Sequence, residues 1–262
     1  MAEQLVKKGF TAGDGYGEVW IRDLNTFVTV ASTFQQPDGG ILDGYVPVKK
    51  GAVPYNYYHS ALAPEYAGHK NTVETDQETS LIQAVAKYVR STGDKSILNN
   101  KIGGVSVQKG LERAMDFLLT KRYNEKYGLL WGATTVDWGD VQPEHDWGVV
   151  LDENSHLTLD IYDNAMFIIA INDFLEIADL SKAEQKHWKD IKDKIAKNVH
   201  SFNESEIYYH GGTAVAIEAG LLSKAEVKVA YRKMQENVKK ANAATIGLTI
   251  YPVYPQGFFK NG

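Results

Sequence analysis

Apolar residues recur at helical spacing in several long stretches of the chain. Between residues 75 and 90, Leu81, Ile82, Val85, Ala86 and Val89 share a face, and Ser91-Thr92-Gly93-Asp94 supplies the stop. The same period runs from 105 to 123 through Val107, Leu111, Ala114, Met115, Leu118 and Leu119. A richer apolar run covers 161–178 and is interrupted by Asp163, Asn164, Asn172 and Asp173, which predicts a helix buried in the core and not a membrane span. Further helices are predicted over 182–202, over 214–221 and, basic and amphipathic, over 224–240. An early one is predicted over 18–34, after a glycine-rich opening.

The segments between these helices have a different character. Residues 37–70 carry several prolines and glycines together with Tyr45, Tyr55, Tyr57, Tyr58, His59 and Tyr66, and are predicted to be a long loop. Residues 133–154 show neither the helical nor the strand period, and 245–262 are again rich in glycine and proline. Long loops in a folded domain are usually functional. Helices joined alternately by short turns and long aromatic loops predict an all-α fold of helical hairpins with the long loops at one end, in a single domain over 1–262. There is no fixed-length repeat and no alternation of strand and helix, which argues against a solenoid or a dinucleotide fold. Gly13-Asp14-Gly15-Tyr16-Gly17 has neither a preceding strand nor a P-loop lysine, so it is a poor phosphate loop.

Composition narrows the chemistry. The 28 basic and 33 acidic residues leave a net charge of −5, which argues against a nucleic-acid partner. With no cysteine, disulfides, thiolate metal sites and cysteine nucleophiles are excluded, while the compartment stays open. No run has the length of a signal peptide or a bilayer span, so the chain is expected to be soluble, cytoplasmic or exported with its leader removed, and off the membrane. The seven histidines form no His-x-x-x-His pair, so no catalytic transition metal is expected, although loop carboxylates could hold a structural calcium. Serine-hydrolase chemistry lacks its Gly-x-Ser-x-Gly elbow. What is abundant is aromatic: 15 Tyr and 5 Trp, flat rings suited to stacking on sugars.

Three short stretches carry a resemblance. Val19-Trp20-Ile21-Arg22-Asp23 resembles the Trp-x-Arg-Asp element of the six-hairpin glycosidases, the glucoamylase-like and debranching-enzyme-like superfamily. Arg22 offers a rigid donor fork and Asp23 two acceptors, a pair able to grip vicinal hydroxyls; the plainer reading is an ion pair at a helix end. Thr134-Thr135-Val136-Asp137 is similar to the segment that brings the general acid in some of these families, and Trp138 beside it would push a carboxyl toward its protonated form. Asp140 is the rival acid, and both acids as solvated loop residues is the plainer alternative. The tail, 247–262 with Tyr254, resembles a loop found late in the superfamily. The resemblance implies an (α/α)6 toroid of helical hairpins and a sugar held by Arg22 and Asp23. It also implies that helices bearing a second carboxylate would follow, so the barrel is expected to be incomplete at its C-terminal end.

Other polar and aromatic residues complete the inventory. Glu74, Asp76 and Glu78 stand at a helix start, where the dipole favours negative charge; Glu74 or Asp76 could serve as base or bind hydroxyls. Tyr162 and Asn164 open the apolar helix at a place that resembles the pocket floor of the family, and Trp20, Tyr57, His59 and Trp131 are further candidates for substrate contact. The expected function is an inverting, exo-acting glycoside hydrolase on an oligosaccharide or polysaccharide. The alternatives are a glycan-binding or interaction protein that keeps the fold without catalysis, and a polysaccharide lyase using Tyr57, Tyr58 or His59. An incomplete ring would expose apolar flanks that a homodimer could cover.

Overall fold

The computed structural model describes residues 19–21, 25, 56–60, 63–69, 75–102, 104–133, 157–199 and 210–240. Among them the fold class is all-α, as the periodicity predicts. The helices are α1 (Asp76–Thr92), α2 (Val107–Lys121), α3 (Ile161–Ile177), α4 (Lys182–Val199), α5 (His210–Glu218) and α6 (Lys224–Lys240), with a 3-10 turn at Lys95–Asn99. Short strands join them: β1 (Val19–Trp20), β2 (Asn56–Ser60), β3 (Ala63–His69), β4 (Lys101–Ile102), β5 (Val105–Ser106), β6 (Tyr123–Asn124), β7 (Leu129–Leu130), β8 (Gly132–Ala133) and β9 (Leu157–Thr158). No described helix is long and apolar enough to cross a membrane.

The chain divides into two compact units. One comprises Met1–Asn71, Thr75–Arg122 and Ala170–Trp188; the other comprises Thr72–Glu74, Tyr123–Ile169 and Lys189–Gly262.

In the first unit, α1 ends where Gly93 takes φ 72 and donates its N–H to the Val89 carbonyl at 2.8 Å, a left-handed stop that any other residue would strain. Ser106 caps α2 by accepting from the Lys109 N–H at 3.3 Å. Helix α2 buries Val107, Gly110, Leu111, Ala114, Met115 and Leu118, one stripe at helical spacing, and it packs on α1, whose Leu81, Ile82, Val85 and Ala86 are almost fully buried.

Two local expectations differ from what forms. Val19 and Trp20 are strand, and the helical conformation is found at Ile21 and Asn25. Residues 56–60 and 63–69, expected as loop, pair as an antiparallel hairpin that continues onto β1 in the order β1-β2-β3. Tyr57 and Tyr58 favour an extended backbone, and Pro64 is tolerated because β3 is an edge strand. The prolines and glycines around this hairpin conceal it in the one-dimensional pattern.

In the second unit, β6 and β7 form a tight hairpin turned by Gly128 at φ 67. A side chain at Gly128 would also collide with the Asn198 amide and press on the Tyr123 hydroxyl. Asn198 donates to the Gly128 carbonyl at 3.2 Å, and Lys194 lies over the Tyr123 ring at 5.2 Å, so the end of α4 is sealed onto this hairpin. Helix α5 begins at His210, earlier than the apolar pattern predicts, and packs on α6.

Candidate functional site

The first turn of α1 is polar and yet buried. Thr75, Asp76, Gln77, Glu78, Thr79 and Ser80 are each at most 2% exposed. Charged and amide side chains are rarely so enclosed unless they are held by partners, and an isolated buried carboxylate would be costly. The helix dipole stabilises Asp76 and Glu78 at this end, and the Thr79 hydroxyl donates to the Asp76 carbonyl at 2.9 Å. Apolar helix starts are cheaper to bury, which makes this enclosed polar run a candidate for a site.

The segment that bears Trp20 is tied to the same helix. Asn25 is buried; its amide donates to Gln83 Oε1 at 3.2 Å, and Lys87 Nζ donates to the Asn25 carbonyl at 2.6 Å. Across the sheet, Trp20 is paired with Asn56 and Asn56 with His69, so β1 and β3 end level with each other shortly before their helical segments begin. Tyr57 stands opposite Val19 and Gly68, and His59 opposite Tyr66. The sheet thus places Trp20, Tyr57 and His59 by backbone register in the unit that holds Asp76.

At the other end of α1, Arg90 grips α3. Its Nε lies 3.1 and 3.2 Å from the two oxygens of Glu176, its Nη2 lies 2.9 Å from Glu176 Oε2, and Nη2 also bonds Asp173. Burial pushes the Asp173 carboxyl up to about 6, against the pull of the Arg90 guanidinium, whereas Glu176 is held below its usual range by its bonds to Arg90. The cluster is separated from the buried turn by the length of the helix and acts as a clamp between helices.

In the second unit, Trp131 follows Leu130, and β8 pairs with β9, so that Gly132 faces Thr158 and Ala133 faces Leu157. Tyr162 is 4% exposed and Asn164 is fully buried. Asn164 accepts from the Leu130 N–H at 2.9 Å and donates to the Leu130 carbonyl at 3.0 Å and the Asp160 carbonyl at 2.8 Å. The Asp160 carboxylate caps α3 by accepting from the Asp163 N–H at 2.8 Å. Arg22, Asp23, Glu74, Asp137, Trp138, Asp140 and Tyr254 lie outside the described residues. The sequence pattern singles out Asp160 with Tyr162 and Asn164 but not Asn25 or Gln83; the one available signal is Asn25 four residues after Ile21, on the same helical face.

No family model matches the sequence, and no curated protein matches it. Among solved structures, a glycoside hydrolase from family 105 of C. acetobutylicum ATCC 824 is similar over 87% of this chain and 66% of its own, at 12% identity and a TM-score of 0.48. A rhamnosidase from Klebsiella oxytoca with rhamnose bound is similar over 87% of this chain and 42% of its own, at 14% identity and a TM-score of 0.51. The chain therefore spans less than two thirds of either protein. At these identities the likeness to the rhamnosidase shows a shared helical fold, and any chemistry has to be argued from the residues.

Proposed function

We propose that the chain is a glycoside hydrolase, inverting and exo-acting on an oligosaccharide. The observation that carries this reading is the buried polar first turn of α1, where Asp76 and Glu78 are enclosed in the same unit as the strand bearing Trp20. The fold likeness to a protein solved with rhamnose bound supports it, as does the resemblance of the stretches around Trp20, Asp137 and Tyr254 to six-hairpin glycosidases.

In this proposal Arg22 and Asp23 hold the hydroxyls of the terminal sugar, with Trp20, Tyr57, His59, Trp131, Trp138, Tyr162 and Tyr254 as aromatic and polar walls. Asp137 gives its proton to the glycosidic oxygen as the bond from that oxygen to the anomeric carbon breaks; Asp140 is the second candidate for this step. Glu74 or Asp76 takes a proton from the water whose oxygen forms the new bond to that carbon on the opposite face. Atoms and charge balance without a cofactor.

The test is hydrolysis of a panel of aryl glycosides, with p-nitrophenyl α-L-rhamnopyranoside first among them. On an unactivated oligosaccharide, whose alkoxide leaving group needs the proton, Asp137→Asn should lower turnover by roughly two to four orders of magnitude and leave sugar binding unchanged, with a far smaller loss on the p-nitrophenyl glycoside, whose phenolate departs unprotonated. Equal turnover in the variant would overturn the assignment of Asp137, and binding without hydrolysis across the whole panel would overturn the enzyme reading.

A further inference from the structure

The run Gly128-Leu129-Leu130-Trp131-Gly132 is buried at every position except one. Leu129 is 1% exposed, Leu130 is fully buried, and Gly128 and Gly132 are buried, while Trp131 is half-buried. Part of the Trp131 indole is left in water, and an indole is a ring of the kind that stacks on the apolar face of a sugar. The backbone on either side of it is fixed. Leu130 is paired through β7 with Tyr123, and Gly132 is paired through β8 with Thr158.

The partner of Leu130 on its other edge is not a strand but a side chain. Asn164 takes the Leu130 N–H and gives a hydrogen to the Leu130 carbonyl, the two bonds that a neighbouring peptide would make. Its second amide hydrogen goes to the Asp160 carbonyl, which fixes the amide plane from the helix side. Both hydrogens are thereby committed to the backbone, and the residue is fully buried.

We propose that Asn164 is a positioning residue: acting as a one-residue strand, it holds Leu130 so that the half-buried Trp131 forms a rigid plate for the apolar face of a sugar ring. The ligand part of this inference rests on the glycoside reading above; the positioning part does not.

The experiment uses the full chain with its 5 Trp replaced biosynthetically by 5-fluorotryptophan, and the Trp131 fluorine resonance assigned with Trp131→Phe. Trp188, buried and packed edge-on against Phe174 at 6.1 Å, reports in the same spectrum that the chain is folded. Asn164→Ala and Asn164→Asp should broaden or shift the Trp131 line and leave Trp188 in place, since the aspartate sets a carboxylate against two carbonyls. An unmoved Trp131 line in either folded variant overturns the positioning role. Should both variants lose the native Trp188 line, the unsubstituted protein decides: the Leu130 amide must be protected from hydrogen exchange, and rapid exchange overturns the proposal.

Titration with L-rhamnose and with maltotriose then tests the plate. One of them should move the Trp131 line, with affinity weakened about tenfold by Asn164→Asp, a change of ~1.4 kcal/mol. In a Trp131→Ala background the same substitution should cost almost nothing, because Asn164 acts through the indole. An additive loss in that cycle overturns the coupling. Neither sugar moving the line, with Trp131 still released by the Asn164 variants, overturns the ligand assignment while the positioning role stands.

Discussion

Asp173 interrupts an apolar helix, and the fold resists its ordinary ionisation. Its raised value of about 6 means that the folded state binds its proton more tightly than the unfolded chain, whose value is near 3.8. The stability it contributes is therefore fully present below the unfolded value and lost as pH rises through 6. Arg90 and Lys87 pull the other way, and Glu176, lowered by Arg90, contributes stability that is lost on acidification below its unfolded value of 4.5. Between pH 7 and about 4.5 the Asp173 carboxyl should add on the order of 2 kcal/mol of stability on acidification, a contribution read as the difference between the protein and Asp173→Asn. A carboxyl NMR titration should place the Asp173 midpoint near 6, and Asp173→Asn should flatten the stability slope in that window. A midpoint in the normal aspartate range would show that burial does not govern this group. From the sequence, Asp173 is visible only as an interruption of the apolar pattern. That Arg90, far away along the chain, meets it is a tertiary fact that no local spacing contains.

Helix starts decide how sharply elements begin, and two of them use the same reciprocal device. Ser181 donates its N–H to Glu184 at 2.8 Å while its hydroxyl accepts from the Glu184 N–H at 3.3 Å, opening α4; Ser223 and Glu226 repeat this at α6, at 2.7 and 3.3 Å. Ser223→Ala should destabilise the fold by about 1 kcal/mol, and Glu226→Ala should add less than its own separate cost, because the two bonds close one ring. Additive losses in thermal melts of the double variant would mean that the residues cap independently. Elements of this kind were legible, since α1, α2, α3 and α6 begin and end within a few residues of where apolar spacing, Gly93 and the acidic first turns put them. The β1-β2-β3 sheet was not legible, because its pairing joins Trp20 to Asn56 and Asn56 to His69 across segments rich in proline and glycine. Helix α5 lies earlier in the chain than the predicted 214–221, at His210–Glu218: Gly211 and Gly212 weaken the local propensity and hide its start, which the burial of Thr213 favours. At the candidate site, the acids at the start of α1 could be seen as helix-end charges; their enclosure could not, because burial depends on what packs over them.

At the level of the whole molecule, a shared helical scaffold constrains the chemistry less than the arrangement of carboxylates does. In the proposed inverting reaction an acid and a base flank the scissile bond with a water between them, and the attacking oxygen enters on the face opposite the leaving group. The first-formed sugar then carries the anomeric configuration opposite to that of the substrate. Proton NMR of a digest, followed from the first minutes before mutarotation mixes the anomers, should show inversion on whichever aryl glycoside is cleaved. Retention would require a carboxylate to attack the anomeric carbon itself, which needs the two acids at ~5–5.5 Å instead of ~6.5–9.5 Å. It would also leave a glycosyl-enzyme adduct that mass spectrometry of a slow fluorosugar reaction could trap. That outcome would keep the hydrolase and remove the base role from Glu74 and Asp76, because a base that activates water on the opposite face has no place in a double displacement.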